Sequence, residues 1–160
     1  MSKAPSHNPP AVAGDTVGAL IEWGSQQLES AGVSFGHGTT NAHDEAAWLV
    51  LWRLGLPLDS DLSDAPESIK NKPVAPAEKA LVATLFEERI ASRKPAAYLT
   101  REAWLQGVPF YVDERAIVPR SFIAELLVDG SVDDFLSDRT HRVLDLCTCL
   151  LYTSDAADDS

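Results

Sequence analysis

Few residues of this chain could start any chemistry. Cys147 and Cys149 stand one residue apart. That spacing is poor for a disulfide and is not the two-residue gap of zinc or redox pairs, so neither a bridge nor a metal is expected there. His7, His37, His43 and His141 are scattered and form no cluster that points to a metal or a base. Asn8-Pro9-Pro10 is common turn chemistry in a Pro-rich leader. The clearest electrostatic feature is a basic middle. Arg89, Arg93, Lys94, Arg101, Arg115 and Arg120 face only Glu102, Asp113 and Glu114, in a chain whose formal net charge is −11. Residues 1 to 88, by contrast, carry twelve acidic and five basic side chains. Such a segment is either a solvated, salt-bridged face or an electrostatic guide toward a ribosomal or RNA-bearing partner. The acidic total argues against a general nucleic-acid-binding surface, and no direct nucleic-acid binding is expected.

The elements that would position these residues are legible in outline. A hydrophobic share of 45% suits a chain with a core. No run approaches the roughly 18 to 20 consecutive apolar residues of a membrane helix, and Met1 to Gly14 lacks the apolar stretch of a secretory signal. A flexible leader, no membrane and a cytoplasmic location are the expectations. Asp15 or Thr16 can cap a helix to about Ala31, closed by Gly32, with Val17, Leu20, Ile21 and Leu28 on one side. Asn41 begins a second helix, with Asp44 and Glu45 in its first turn, where they suit the positive end of the dipole, and Gly55 at its end. Leu56 to Ala75 is a long loop or holds one short turn. Pro76 opens a third helix to about Lys94, with Leu81, Val82, Leu85, Phe86 and Ile90 as its stripe. Three such helices make a small bundle, with Trp23, Trp48 and Trp52 as core residues.

The pattern then changes. Ala103 to Gly107 and Pro109 to Val112 read as two strands around a turn, followed by an extended Ile117-Val118 that stops at Pro119. Ser121 can cap a helix ending near Gly130, with Phe122, Ile123, Leu126 and Leu127 as its buried face. A short acidic helix is expected over Val132 to Leu136. Arg142-Val-Leu-Asp-Leu-Cys147 has the character of a buried parallel strand.

Three linked segments carry a resemblance to a known family. They are R-K-P-A-A-Y-L-T (Arg93 to Thr100), F-Y-V-D-E-R-A-I-V-P-R-S-F-I-A-E-L (Phe110 to Leu126) and V-L-D-L-C-T (Val143 to Thr148). Together they resemble the bacterial protein-glutamine methyltransferases. Pro119-Arg120-Ser121 with Glu125 four residues on, Asp113-Glu114-Arg115 and the D-L-C-T spelling resemble the group acting on large-subunit ribosomal protein L-three. The sister group that modifies release factors tends to have P-R-P-E-T-E there. The resemblance implies an α+β fragment of five parts: a flexible leader (1–14), a helical substrate-recognition domain (15–94), a β-hairpin linker (95–118), the first helix and strand of a Rossmann-like methyltransferase domain (119–148), and a tail (149–160). It also implies S-adenosylmethionine as cofactor and a large-subunit ribosomal protein as partner. Phe110, Pro119, Arg120, Glu125 and Asp145 match family positions near the cofactor cleft. Each has a plainer reading: Phe110 as hairpin core, and Arg120 as an ion-pair partner of Glu125 or Asp145.

The sequence departs from the family just where a cradle is due. A methyl group on a sulfonium must be held in line with its acceptor, and glycines after the first strand let backbone approach the ligand. The family continues D-L-C-T with G-S-G, whereas Cys149-Leu150-Leu151-Tyr152 follows here, with no glycine after Gly130. Cys149 to Ser160 resembles read-through of a sequencing adapter, which would make Cys147 the only genuine cysteine. The family's catalytic N-P-P-Y loop orients a weakly nucleophilic amide nitrogen. Asn8-Pro9-Pro10 is followed by Ala11 and lies far upstream of where that loop belongs, so it is not a candidate. These expectations describe a chain inactive alone, its Phe122 to Leu127 face left exposed for want of a sheet to cover it. A non-catalytic helical binding module and the release-factor enzyme are the alternatives.

Overall fold

The computed structural model describes residues 14–36, 38–120, 122–137 and 139–142. These fall in two compact units that meet in sequence between Thr100 and Arg101.

The first unit is helical. Helix α1 (Val17–Ser30) starts where the Thr16 hydroxyl accepts a hydrogen bond from the Ala19 N–H at 3.3 Å, and α2 (Ala42–Arg53) where Asn41 Oδ1 accepts from the Asp44 N–H at 2.9 Å. Each cap satisfies a backbone donor that has no partner within its helix. Helix α3 (Pro76–Ser92) begins with proline, whose missing N–H is no loss at that position, while Glu78 accepts from the Ala75 N–H at 2.9 Å. It ends where Arg93 turns to φ 59°. A short helix α4 (Ala96–Thr100), absent from the sequence reading, completes the unit with Ala96 and Ala97 fully buried.

Between α2 and α3 the long loop holds one 3₁₀ turn, Ile69–Asn71. It returns to the start of α1, with the Val17 N–H donating to Lys72 O (3.0 Å) and the Val74 N–H to Asp15 O (2.9 Å). Lys79 on α3 binds the Asp15 carboxylate, which holds that carboxyl below its usual range.

The core is built from Val17, Leu20, Ile21 and Leu28 of α1, Leu49, Val50 and Leu51 of α2, and Val82, Leu85 and Phe86 of α3. Burying each large side chain contributes on the order of 1.5–3 kcal/mol. Trp23 meets the Phe86 ring edge-on, centroids 5.4 Å apart. Trp48 and Trp52 are half-buried against the same core. Gly24 is essential to this contact, because a Cβ there would lie 2.3 Å from Phe86 Cζ.

Inside this core sits an ion pair. Arg89 Nε donates to Glu45 Oε1 at 2.7 Å, both side chains being 2–3% exposed. Each partner makes a further hydrogen bond. Arg89 Nη2 donates to Ser34 O at 3.0 Å, and the Thr39 hydroxyl to Glu45 Oε2 at 3.0 Å. The pair thereby ties α2 and α3 to the Gly-rich turn between α1 and α2.

The second unit opens with an antiparallel hairpin of β1 (Glu102–Leu105) and β2 (Val108–Tyr111). Glu102 pairs with Tyr111, Ala103 with Phe110, Trp104 with Pro109 and Leu105 with Val108. The two-residue connection places Gln106 (φ 49°) and Gly107 (φ 78°) in the left-handed region, which matches the twist of the strands. Ile117 and Val118 belong to neither strand. Helix α5 (Phe122–Val128) follows, then a 3₁₀ turn over Asp133–Phe135 in place of the acidic helix expected from Val132 to Leu136. Phe122, Ile123, Leu126 and Leu127, the apolar face of this helix, are 84%, 65%, 43% and 58% exposed, as expected for a helix with no sheet to cover it. The described part of the chain is thus a mixed α/β structure with five helices and one two-stranded sheet. The strand expected over 142–147 lies outside the described residues, as do Asn8-Pro9-Pro10 and the tail.

Candidate functional site

The family-matching residues lie along the second unit. Phe110, on β2, is half-buried opposite the buried Ala103, so it lines the inner face of the hairpin. Pro119 is half-buried in the segment leading to α5, Arg120 is exposed beside it, and Glu125 is exposed on α5. Arg120 and Glu125 form no ion pair among the described residues. Asp145, Arg120's other candidate partner, lies outside them, with Cys147 and Cys149.

Between hairpin and α5 the Asp113-Glu114-Arg115 motif forms a tight turn. Asp113 Oδ1 accepts from the Arg115 backbone N–H at 3.0 Å, Oδ2 accepts from Arg115 Nη2 at 2.6 Å, and Asp113 O accepts from the Ala116 N–H at 3.0 Å. Tyr111 Oη donates to the same carboxylate at 3.4 Å. The Arg115 guanidinium, above all, lowers the Asp113 carboxyl to about 2. An acidic residue that is two-pronged in this way fixes the direction in which the chain leaves the hairpin.

The basic middle segment is not one surface. Arg89 is the buried partner of Glu45, Arg93 Nη1 donates to Ala31 O at the end of α1 (2.9 Å), and Arg115 is bound to Asp113. Of the segment's six cations Arg89 alone is buried, while Arg93 and Arg115 are exposed and bonded to neighbours, as in a solvated, salt-bridged face. Glu45 likewise does more than face the α2 dipole. Sequence position did carry a signal for this, since Glu45 and Arg89 fall on the apolar stripes of their helices. Glu45 is three residues after Ala42 and four before Leu49; Arg89 is three after Phe86 and four after Leu85.

No three His, Cys, Asp or Glu side chains among the described residues are grouped to hold a metal ion. His43 instead sits between Glu22 (3.6 Å) and Asp44 (3.9 Å) on the surface. No helix of the described residues is long and apolar enough to cross a membrane. The fit to S-adenosylmethionine is poor among them as well. The one glycine beyond the hairpin, Gly130 (φ 76°), terminates α5 rather than opening a helix, and Arg120 and Glu125 face solvent. No step through that cofactor follows from these residues.

No family model matches the chain. Curated proteins do. The ribosomal protein uL3 glutamine methyltransferase of Burkholderia pseudomallei is 47% identical over 135 residues, that of Neisseria meningitidis 46% over 136, and that of Bordetella pertussis 44% over 135. In each case 83% of this chain is matched. The chain is a homologue of these methyltransferases. It spans only 42–43% of the length of the relatives it matches. The resemblance read from the P-R-S, D-E-R and D-L-C-T motifs is borne out by these uL3 glutamine methyltransferase relatives, and the matched length includes helical-unit residues outside those motifs.

Proposed function

We propose that this chain is the substrate-recognition part of an S-adenosylmethionine-dependent methyltransferase that modifies the side-chain amide nitrogen of a glutamine in ribosomal protein uL3. The observation that carries this is the 44–47% identity to uL3 glutamine methyltransferases over 83% of the chain. In this reading residues 15–94 recognise the substrate protein and 95–118 link them to a Rossmann-like domain that starts at 119–148. By resemblance to the family, Phe110, Pro119, Arg120, Glu125 and Asp145 would be the positions near the cofactor cleft of the whole enzyme. The reaction takes place in the cytoplasm.

The chain's own residues do the positioning part of such a reaction. A buried, hydrogen-bonded Glu45–Arg89 pair and three capped helices supply a rigid body. Rigidity in the docking part is what lets binding energy align an acceptor amide with a methyl donor. The cofactor, when bound, supplies the electrophilic methyl group.

Deleting the gene and analysing uL3 by mass spectrometry tests the reading. The glutamine methylation should disappear and return on complementation with the whole gene; methylation that persists overturns it. The same spectra of release factors decide against the sister specificity if their glutamine stays methylated in the deletion strain. The 160-residue chain alone should give no heat on titration with S-adenosylmethionine, and micromolar binding would refute its inactivity.

A further inference from the structure

The stretch between the hairpin and α5 is held at both ends and in its middle. Val112, the residue after β2, is fully buried, and Val118 nearly so. Between them Asp113 to Ala116 make a closed turn, with the Ala116 N–H donating to Asp113 O at 3.0 Å. The Asp113 side chain braces that turn twice. Its Oδ1 accepts from the Arg115 backbone N–H at 3.0 Å, and the Arg115 guanidinium reaches the same carboxylate through Nε and Nη2. The two braces are unequal. The Arg115 side chain is 86% exposed and that of Asp113 25%. Water and salt therefore screen the ion pair, whereas the bond to the backbone acts inside the turn itself.

We propose that Asp113 is a positioning residue for the methyl transfer: by accepting from the Arg115 backbone N–H, it makes 112–118 a rigid corner rather than a flexible linker. This role rests on the function proposed above, in which the hairpin joins the recognition part to a domain that starts at 119. A turn closed by its own backbone bond, with a buried valine on either side, leaves the connecting chain few conformations. Without the side-chain acceptor the Arg115 N–H turns to water, and the corner gains alternatives. Transfer is sensitive to such looseness. An acceptor docked on one part must arrive in line with a methyl donor held by the other, and a misplacement of about 1 Å caused far from the chemistry can cost about a hundredfold. Docking itself belongs to residues 15–94 and does not pass through the corner.

The test uses the enzyme encoded by the whole gene with purified ribosomal protein uL3, methylation being followed by mass spectrometry, and amide exchange in the 160-residue chain. Asp113→Ala should lower kcat about tenfold or more, with KM for uL3 within about threefold of the parent and Tm unchanged. In the 160-residue chain the same substitution should speed exchange of the Ala116 amide. Asp113→Asn keeps an oxygen that accepts from the Arg115 N–H, and should hold kcat within about threefold of the parent. Arg115→Ala removes only the screened ion pair and should do the same. Parental kcat in Asp113→Ala, or an Asp113→Asn as slow as the alanine variant, overturns the positioning role and leaves the methyltransferase reading intact. A fall in kcat together with a lowered Tm assigns Asp113 to overall stability and also overturns the role. A parent enzyme that leaves uL3 unmethylated refutes the function proposed above, and this role with it.

Discussion

Helices α3 and α5 have the same kind of sequence and opposite fates. Both present aliphatic and aromatic residues at helical spacing. Helix α3 buries Val82, Ala83, Leu85, Phe86 and even Arg89, while α5 buries none of its seven residues. The difference lies in what covers the face. Helix α3 meets α1 and α2, which bring Trp23, Gly24 and Glu45 to it. An apolar stripe therefore specifies which side of a helix wants a partner, and only a second layer converts that preference into stability.

The contrast can be broken most forcefully at its charged centre. Glu45→Ala or Arg89→Ala strands a buried charge and should destabilise the helical unit by about 3–5 kcal/mol in urea unfolding. Replacing both with methionine should recover much of that loss; a double variant as unstable as the singles would show that packing, not charge, is at stake. Next, Leu49→Ala should cost about 2–5 kcal/mol and Leu127→Ala less than about 0.5 kcal/mol. Equal losses from the two would erase the distinction between the helices. At the start of α2, Asn41→Ala should remove about 1 kcal/mol through the lost cap, with no change if Asp44 finds another acceptor.

The smallest effect is local and pH-dependent. The Asp113 carboxyl is lowered to about 2, below the roughly 3.9 of an unperturbed aspartate. Its clamp on Arg115 is therefore at full strength above about 3.9 and weakens as pH falls through about 2. A carbon-detected NMR titration should follow this, and Arg115→Ala should return Asp113 to the ordinary range.

What the sequence made legible was local. Thr16, Asn41 and Pro76 announce helix starts because a cap or a missing N–H acts within four residues of itself. The hairpin followed from its aromatic and β-branched residues, though the strands expected over Ala103 to Gly107 and Pro109 to Val112 begin and end one to two residues earlier, because the turn takes Gln106 and Gly107 at positive φ. What stayed hidden was set over distance. Arg89 looked like part of a basic segment because its neighbours in sequence are Arg93 and Lys94, whereas its partner Glu45 is 44 residues away. Helix α4 was missed because five residues after a proline carry too little periodicity to be seen; burial of Ala96 and Ala97 decides it. For the candidate cofactor residues, the motifs gave positions in the chain but could not say that Arg120 and Glu125 would be exposed.

The contact of Gly24 with Phe86 also constrains how this protein can change over generations. With a Cβ at position 24 only 2.3 Å from the ring, an alanine there is tolerable only after the aromatic has shrunk or turned. Among diverging copies of the gene, the two positions should then be substituted as a pair, and always in that order.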